Sequence, residues 1–264
     1  MKSKMVLVLS LFLIAVMFNA CKKNTTEPST GVVSGNYFPN GDGTYYKYNV
    51  QTTDSAGNTY QGTRTTTYSG TANYGGSVFQ RQIDSLNILG VNSSFVSLFQ
   101  KSDAEVDYAL DTTGISNFIP DSLMQYIQID AAFKLLEFPF KDGLTWPVFN
   151  LNFKLGNLPS INIIKITANY LGMESTTLNL TSGSVTQDAA KVQYNLVITI
   201  PDLNNPLATP QTYNYTADAW LVDNIGIVKW QGNAAIIGAF TGTSIDLADT
   251  TSTVTQNIVS YSVK

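Results

Sequence analysis

From residue 46 to residue 263 apolar side chains recur with a period of two rather than near 3.6, and that spacing commits the body of the chain to strands. Tyr46, Tyr48 and Val50 alternate with Lys47 and Asn49, and Val106, Tyr108 and Leu110 alternate with Asp107 and Ala109. A polar, threonine-rich strand is expected over 59–68. Others are expected over 78–83, 86–91, 95–99, 161–170, 192–200, 212–221, 226–230, 234–240 and 253–263. Thr, Tyr, Val and Ile suit a pleated, half-buried surface. Turn residues punctuate these runs: Gly57 and Asn58 tolerate positive φ and follow Asp54 between two strands. A dozen or more short strands with turns between them predict an all-β, mainly antiparallel domain, built as a curved sheet, half-barrel or sandwich. At most one or two short helices are expected. One is placed at Pro120, Asp121 and Ser122, with Leu123, Met124, Tyr126 and Ile127 as its apolar face; in the alternative Ile127 to Ile129 is already strand.

The first twenty residues follow a different rule. Lys2 and Lys4 precede a fourteen-residue apolar run over 5–18. As a helix that run spans about 21 Å, short of the roughly 30 Å of a bilayer's hydrocarbon core. It fits a secretory signal better than a permanent span. Phe18, Asn19 and Ala20 then lead into Cys21, the single cysteine of the chain. A small residue before a lone cysteine resembles the lipobox of bacterial lipoproteins, with Phe18 standing where leucine is usual. That resemblance implies cleavage before Cys21 and acylation of its sulfur and new amine. Two or three acyl chains hold a protein on a membrane far more firmly than one. The organisation expected is therefore a signal peptide over 1–20, a lipidated flexible tether over 21–35 and a β-rich globular domain over 36–264. A tether of that composition spans roughly 20 Å as a coil. The Cys21-Lys22-Lys23 start resembles lipoproteins of the Bacteroidetes type. With no acidic run after the cysteine, it implies the periplasmic leaflet of the outer membrane, the cell surface being the other location.

One pattern occurs twice, 100 residues apart. Phe38-Pro39 with Asp42-Gly43 and Tyr46 matches Phe138-Pro139 with Asp142-Gly143 and Trp146. Proline ends an extended segment because it cannot donate to a ladder. Asp-Gly turns the chain, and the aromatic starts the next strand facing the core. Either a half of the domain is duplicated or one kind of corner is used twice. Asp42 and Gly143 are expected to support these corners. The same residues, with the Ile225-Gly226-Ile227-Val228-Lys229 strand, resemble the "YFP…G…W" and "GVGLVK" motifs of a group of bacterial envelope lipoproteins. Some of these resemble the carrier superfamily of LolA and LolB, which implies an open, concave antiparallel sheet with a helical lid.

Composition narrows the function. Fifteen Lys and Arg against nineteen Asp and Glu give a net charge of −4, so no basic face for nucleic acid is expected. With no histidine, Ser-His-Asp and Cys-His catalysis and histidine-ligated zinc are excluded. Asp103, Glu105 and Asp107 lack the glycine of a calcium loop and are expected to form a solvated face, and Asp246 and Asp249 to lie in a turn. Asp84, Glu105, Glu137 and Glu174 are acidic, but their spacing selects no catalytic pair. The chain is expected to be non-enzymatic and without cofactor or metal. Its expected partners are the membrane, through the anchor, and an apolar or envelope-derived ligand or envelope protein. Tyr46, Tyr48, Trp146, Trp220 and Trp230 are the candidate ligand-binding residues. An alternative is a carbohydrate- or partner-binding module that uses exposed Tyr and Trp.

Overall fold

The computed structural model describes residues 31–109, 125–154, 160–200, 209–241 and 251–264. The chain divides into two compact units, Met1–Gly31 and Val32–Lys264, and everything below concerns the second. The expected signal peptide and Cys21 lie outside the described residues, as do the turn at 246–249 and residues 120–124 of the expected helix. Tyr126, from the apolar face of that helix, is in a turn and Ile127 is in a strand.

Among the described residues thirteen strands form one open antiparallel sheet. They are β1 (Tyr45–Thr53), β2 (Thr59–Tyr74), β3 (Ser77–Ile88), β4 (Val91–Lys101), β5 (Glu105–Ala109), β6 (Ile127–Ile129), β7 (Ala132–Glu137), β8 (Thr145–Phe153), β9 (Ile161–Leu180), β10 (Gly183–Ile200), β11 (Gln211–Val222), β12 (Gly226–Asn233) and β13 (Thr253–Ser262). The order across the sheet is β6-β8-β9-β10-β11-β12-β13-β1-β2-β3-β4-β5-β7. Two meanders, β8 to β13 and β1 to β5, therefore lie side by side, joined where β13 pairs with β1. The sheet curls until its ends meet through side chains: Phe133 of β7 stacks on Phe149 of β8 at 4.4 Å, and Trp146 Nε1–H donates to the Lys134 carbonyl at 3.2 Å. No ladder joins β7 to β8, so the sheet stays open.

The all-β, antiparallel, curved-sheet expectation is met, with four differences in detail. Residues 234–240 are not a strand but most of the helix α1 (Ala234–Thr241). An apolar run this short carries no periodicity able to separate a strand from a buried helix. The deciding signal is Asn233, whose Oδ1 accepts from the Ala235 amide at 2.9 Å as an N-cap. Residues 86–91 are not one strand either, since the chain reverses at Leu89 and Gly90, both at positive φ, between β3 and β4. Two strands, β7 and β8, were not expected. Finally, Val33, inside the expected tether, donates its amide to the Phe140 carbonyl at 2.7 Å, and the Asn36 amide donates to Asp223 Oδ1 at 2.6 Å. The ordered body thus starts before residue 36.

The core lies on the concave face. Rings run along it without a break: Phe99 on Tyr108, Tyr108 on Phe133, Phe133 on Phe149, at centroid spacings of 5.1, 5.7 and 4.4 Å. Helix α1 follows β12 directly and rests on this bed. Phe240 stacks on Trp230 at 5.7 Å and meets Tyr194 at 5.0 Å and Phe133 at 6.0 Å. The helix has no charged residue, and Ile236, Ile237 and Phe240 are buried, which fits a helix enclosed on all sides. Each such side chain contributes roughly 1.5–3 kcal/mol by leaving water.

Candidate functional site

Alternation along β1, β2, β3 and β13 brings Tyr46, Tyr48, Arg64, Thr66, Tyr68, Gln82, Asp84 and Gln256 to the concave face, and all eight are buried. Cross-strand register sets the neighbours: Tyr48 lies opposite Arg64, Tyr46 opposite Thr66, and Thr66 opposite Asp84. Arg64 Nε donates to Asp84 Oδ1 at 2.8 Å, and its Nη1 donates to Gln256 Oε1 at 2.9 Å. Asp84 also accepts from the Thr66 hydroxyl at 2.5 Å and from Gln82 Nε2 at 2.6 Å. A buried ion pair survives only when the remaining lone pairs and protons find partners, and three donors on Asp84 meet that condition. One group is left over. Gln256 Nε2 is buried with no hydrogen-bond partner.

Beside this network is a cavity of about 30 Å³, lined by Arg64, Thr66, Gln82, the three tyrosines and, from the other side, Trp230 and Phe240. That volume has room for one or two waters but no larger ligand. The tyrosine hydroxyls are held to backbone: Tyr46 donates to the Pro39 carbonyl at 3.0 Å and Tyr48 to the Ile227 carbonyl at 2.9 Å. Burial pushes the Tyr46, Tyr48 and Tyr68 phenols above their ordinary value of 10.0. For Tyr48, nearby Arg64 works in the opposite direction. The Arg64 guanidinium lies 5.4 Å from the Tyr48 ring centroid. The arrangement is a closed, charge-balanced polar floor under an apolar helix.

Of the five candidate ligand-binding residues, Tyr46, Tyr48 and Trp230 line this cavity. Trp146 is buried at the junction of β7 and β8. Trp220 is on the opposite face of the sheet, beneath Lys191 and Lys229, whose ammonium groups lie 4.7 and 4.2 Å from its ring centroid. All three tryptophans are at most 5% exposed. Arg64, Gln82 and Gln256 were not anticipated, and Asp84 was noted only for its charge. Each falls at an inward step of its strand, but only Gln256, two residues from both Val254 and Ile258, has apolar neighbours that show this phase in the sequence. Glu105 and Glu137 lie opposite each other across β5 and β7, sharing Lys134 at 2.9 and 3.3 Å. Glu174 pairs with Lys191 at 3.6 Å. Among the described residues no cluster of three or more acidic or thiol groups is placed to hold a metal, and no helix is long and apolar enough to cross a membrane.

No protein-family model matches the chain, and no curated protein matches it either. Two solved structures show similarity to the chain. One is a candidate lipoprotein of Parabacteroides distasonis ATCC 8503, 12% identical, with a TM-score of 0.43, covering 88% of this chain and 100% of its own. The other is a candidate exported protein with a YmcC-like fold from Bacteroides fragilis NCTC 9343. It is 16% identical, with a TM-score of 0.43, and covers 85% of this chain and 98% of its own.

Proposed function

We propose that this is a lipid-anchored envelope protein of non-enzymatic type, held at the outer membrane through Cys21, whose concave sheet receives an apolar ligand in the place that α1 occupies. The observation that carries the reading is the helix itself. Its eight residues include no charge and sit on a bed of rings above a polar floor. Displacing it would uncover Trp230, Tyr194 and Phe133 as one apolar surface, with Arg64 and the tyrosines at its base. The anchor rests on Lys2, Lys4, the apolar run and Cys21.

Two measurements test the two halves. Cys21→Ser should move the protein from the membrane to the soluble fraction, and unchanged fractionation would remove the anchor. In a Trp146→Phe, Trp220→Phe variant, Trp230 is the remaining indole and reports on its stack with Phe240. Palmitate should change its emission saturably. Emission that stays constant throughout the titration would remove the ligand.

A further inference from the structure

The outer face of the same sheet carries a second polar row. Lys191, Trp220, Lys229, Asn257 and Asn49 are direct cross-strand neighbours on β10, β11, β12, β13 and β1. Each alternates with inward residues: Asn49 with Tyr48 and Val50, Lys229 with Val228 and Trp230, Asn257 with Gln256 and Ile258. Part of the row lies under an arm formed by the outer ends of β9 and β10. Gly172, at φ 107°, marks where the arm begins, and the Leu171 bulge breaks the ladder there. The arm's tip is fixed to the sheet, since the Thr181 amide donates to the Val259 carbonyl at 2.8 Å. Val259 is itself a bulge residue with no partner on β1, so its carbonyl is free for that contact. Between arm and sheet is a groove of about 290 Å³, with Lys229, Asn257 and Asn49 along one wall and Thr176 and the buried Leu178 along the other.

The two lysines over Trp220 differ. Lys191 is compensated by Asp218 at 3.2 Å and Glu174 at 3.6 Å. Lys229 touches the indole and has no carboxylate within 4 Å among the described residues. Among the described residues the Asn49 and Asn257 amides make no side-chain hydrogen bond. The groove therefore offers one uncompensated cation, then two free amides on successive strands. Neighbouring strands are about 4.8 Å apart, so the Asn257 and Asn49 backbones lie roughly 5 and 10 Å from the Lys229 backbone in the row. A compact ion reaches the cation but not both amides. A molecule with one negative charge at one end and hydroxyls along its length reaches all three.

We infer that this groove binds a sugar acid, its carboxylate on Lys229 and its hydroxyls on Asn257 and Asn49. The site is on the face opposite the cavity under α1, so it stands or falls independently of the apolar-ligand reading.

The experiment is calorimetric titration of the full chain with glucuronate, glucose and inorganic phosphate. Glucuronate should bind saturably, with glucose and phosphate weaker by at least about tenfold, as loss of a charge-assisted pair or of hydroxyl contacts requires. Lys229→Gln keeps the methylene stem on Trp220 and should weaken glucuronate by about tenfold or more. Asn257→Ala, which leaves Lys229 and Trp220 in place, should weaken it several-fold with an unchanged denaturation midpoint. Absence of saturable glucuronate binding, phosphate binding as tightly as glucuronate, or wild-type affinity in Lys229→Gln would each overturn the assignment.

Discussion

The corner that leads into β1 and the corner that leads into β8 make the same backbone contacts with different side chains. In the first, the Thr44 amide donates to the Gly41 carbonyl at 3.0 Å and the Tyr68 amide to the Thr44 carbonyl at 2.9 Å. In the second, the Leu144 amide donates to Lys141 and the Tyr170 amide to Leu144, both at 3.0 Å. Gly43 and Gly143 have φ of 84° and 76°. The likeness extends past the motif read in the sequence. Tyr68 and Tyr170 are each followed two residues later by a positive-φ glycine, Gly70 and Gly172, at a break in the ladder. Corner, strand, return strand and bulge all recur, which favours a repeated half over one turn used twice.

The differences are in what the corners hold. Phe38 packs edge-on to Tyr68 at 6.0 Å, while Phe140 stacks flat on Tyr170 at 5.1 Å. Tyr46 keeps its hydroxyl within its own corner, on Pro39, whereas Trp146 reaches across the open seam to Lys134. The first corner thus serves the buried polar floor, and the second fastens the two ends of the sheet. One backbone device positions an aromatic, and the residue chosen decides whether it lines a site or closes a fold.

If the corners are equivalent, removing their glycines should cost the same. A Cβ at Gly143 would meet nothing within 4 Å, and one at Gly43 only the Lys264 side chain at 3.6 Å, so backbone strain is the whole effect. Gly43→Val and Gly143→Val should each lower stability by about 1–3 kcal/mol. Their chemical denaturation midpoints should fall together, and a wild-type midpoint in either would break the equivalence.

The strands on either side of these corners were legible because alternation is a local signal. What the strands hold was not. Arg64 is in a threonine-rich stretch that reads as solvated, and only pairing with β1 and β3 shows that it faces Tyr48 and Leu86. Trp220 and Trp230 look alike in sequence, yet they point to opposite faces. Bulges such as the one between Trp220 and Leu221 shift the inward phase, and alternation alone does not reveal where they fall. Helix α1 was hidden because a uniformly apolar octapeptide has no polar face to give it a period.

A smaller effect should separate the corners by their carboxylates. Asp42 Oδ1 accepts from the Gly70 amide at 2.7 Å, tying the first corner to its own bulge. Among the described residues Asp142 makes no such hydrogen bond. Asp42→Ala should therefore cost about 1 kcal/mol, within the usual range for one hydrogen bond, and Asp142→Ala nearly nothing. Equal denaturation midpoints for the two variants would show that the Asp42 contact contributes no stability.

The two tyrosines should differ only under alkali. Burial raises the Tyr68 phenol well above 10.0, with Tyr46, Tyr48 and Asp84 adding to the rise and Arg64 opposing it. Tyr170 is raised too, by burial and by Asp142, but not to the same extent. A phenol whose folded value is raised is held neutral by the fold. Its stabilising contribution is complete below the ordinary value of 10.0 and falls as pH rises past it. Stability should then be flat in this respect at neutral pH and decline above about pH 10. In a spectrophotometric titration of phenolate absorbance, the Tyr170 step, identified by its loss in Tyr170→Phe, should precede unfolding. The Tyr68 step should coincide with the cooperative loss of β structure followed by circular dichroism. Ionisation of Tyr68 ahead of that transition would mean that the first corner admits water to the polar floor, and the contrast between the two corners would then rest on their packing alone.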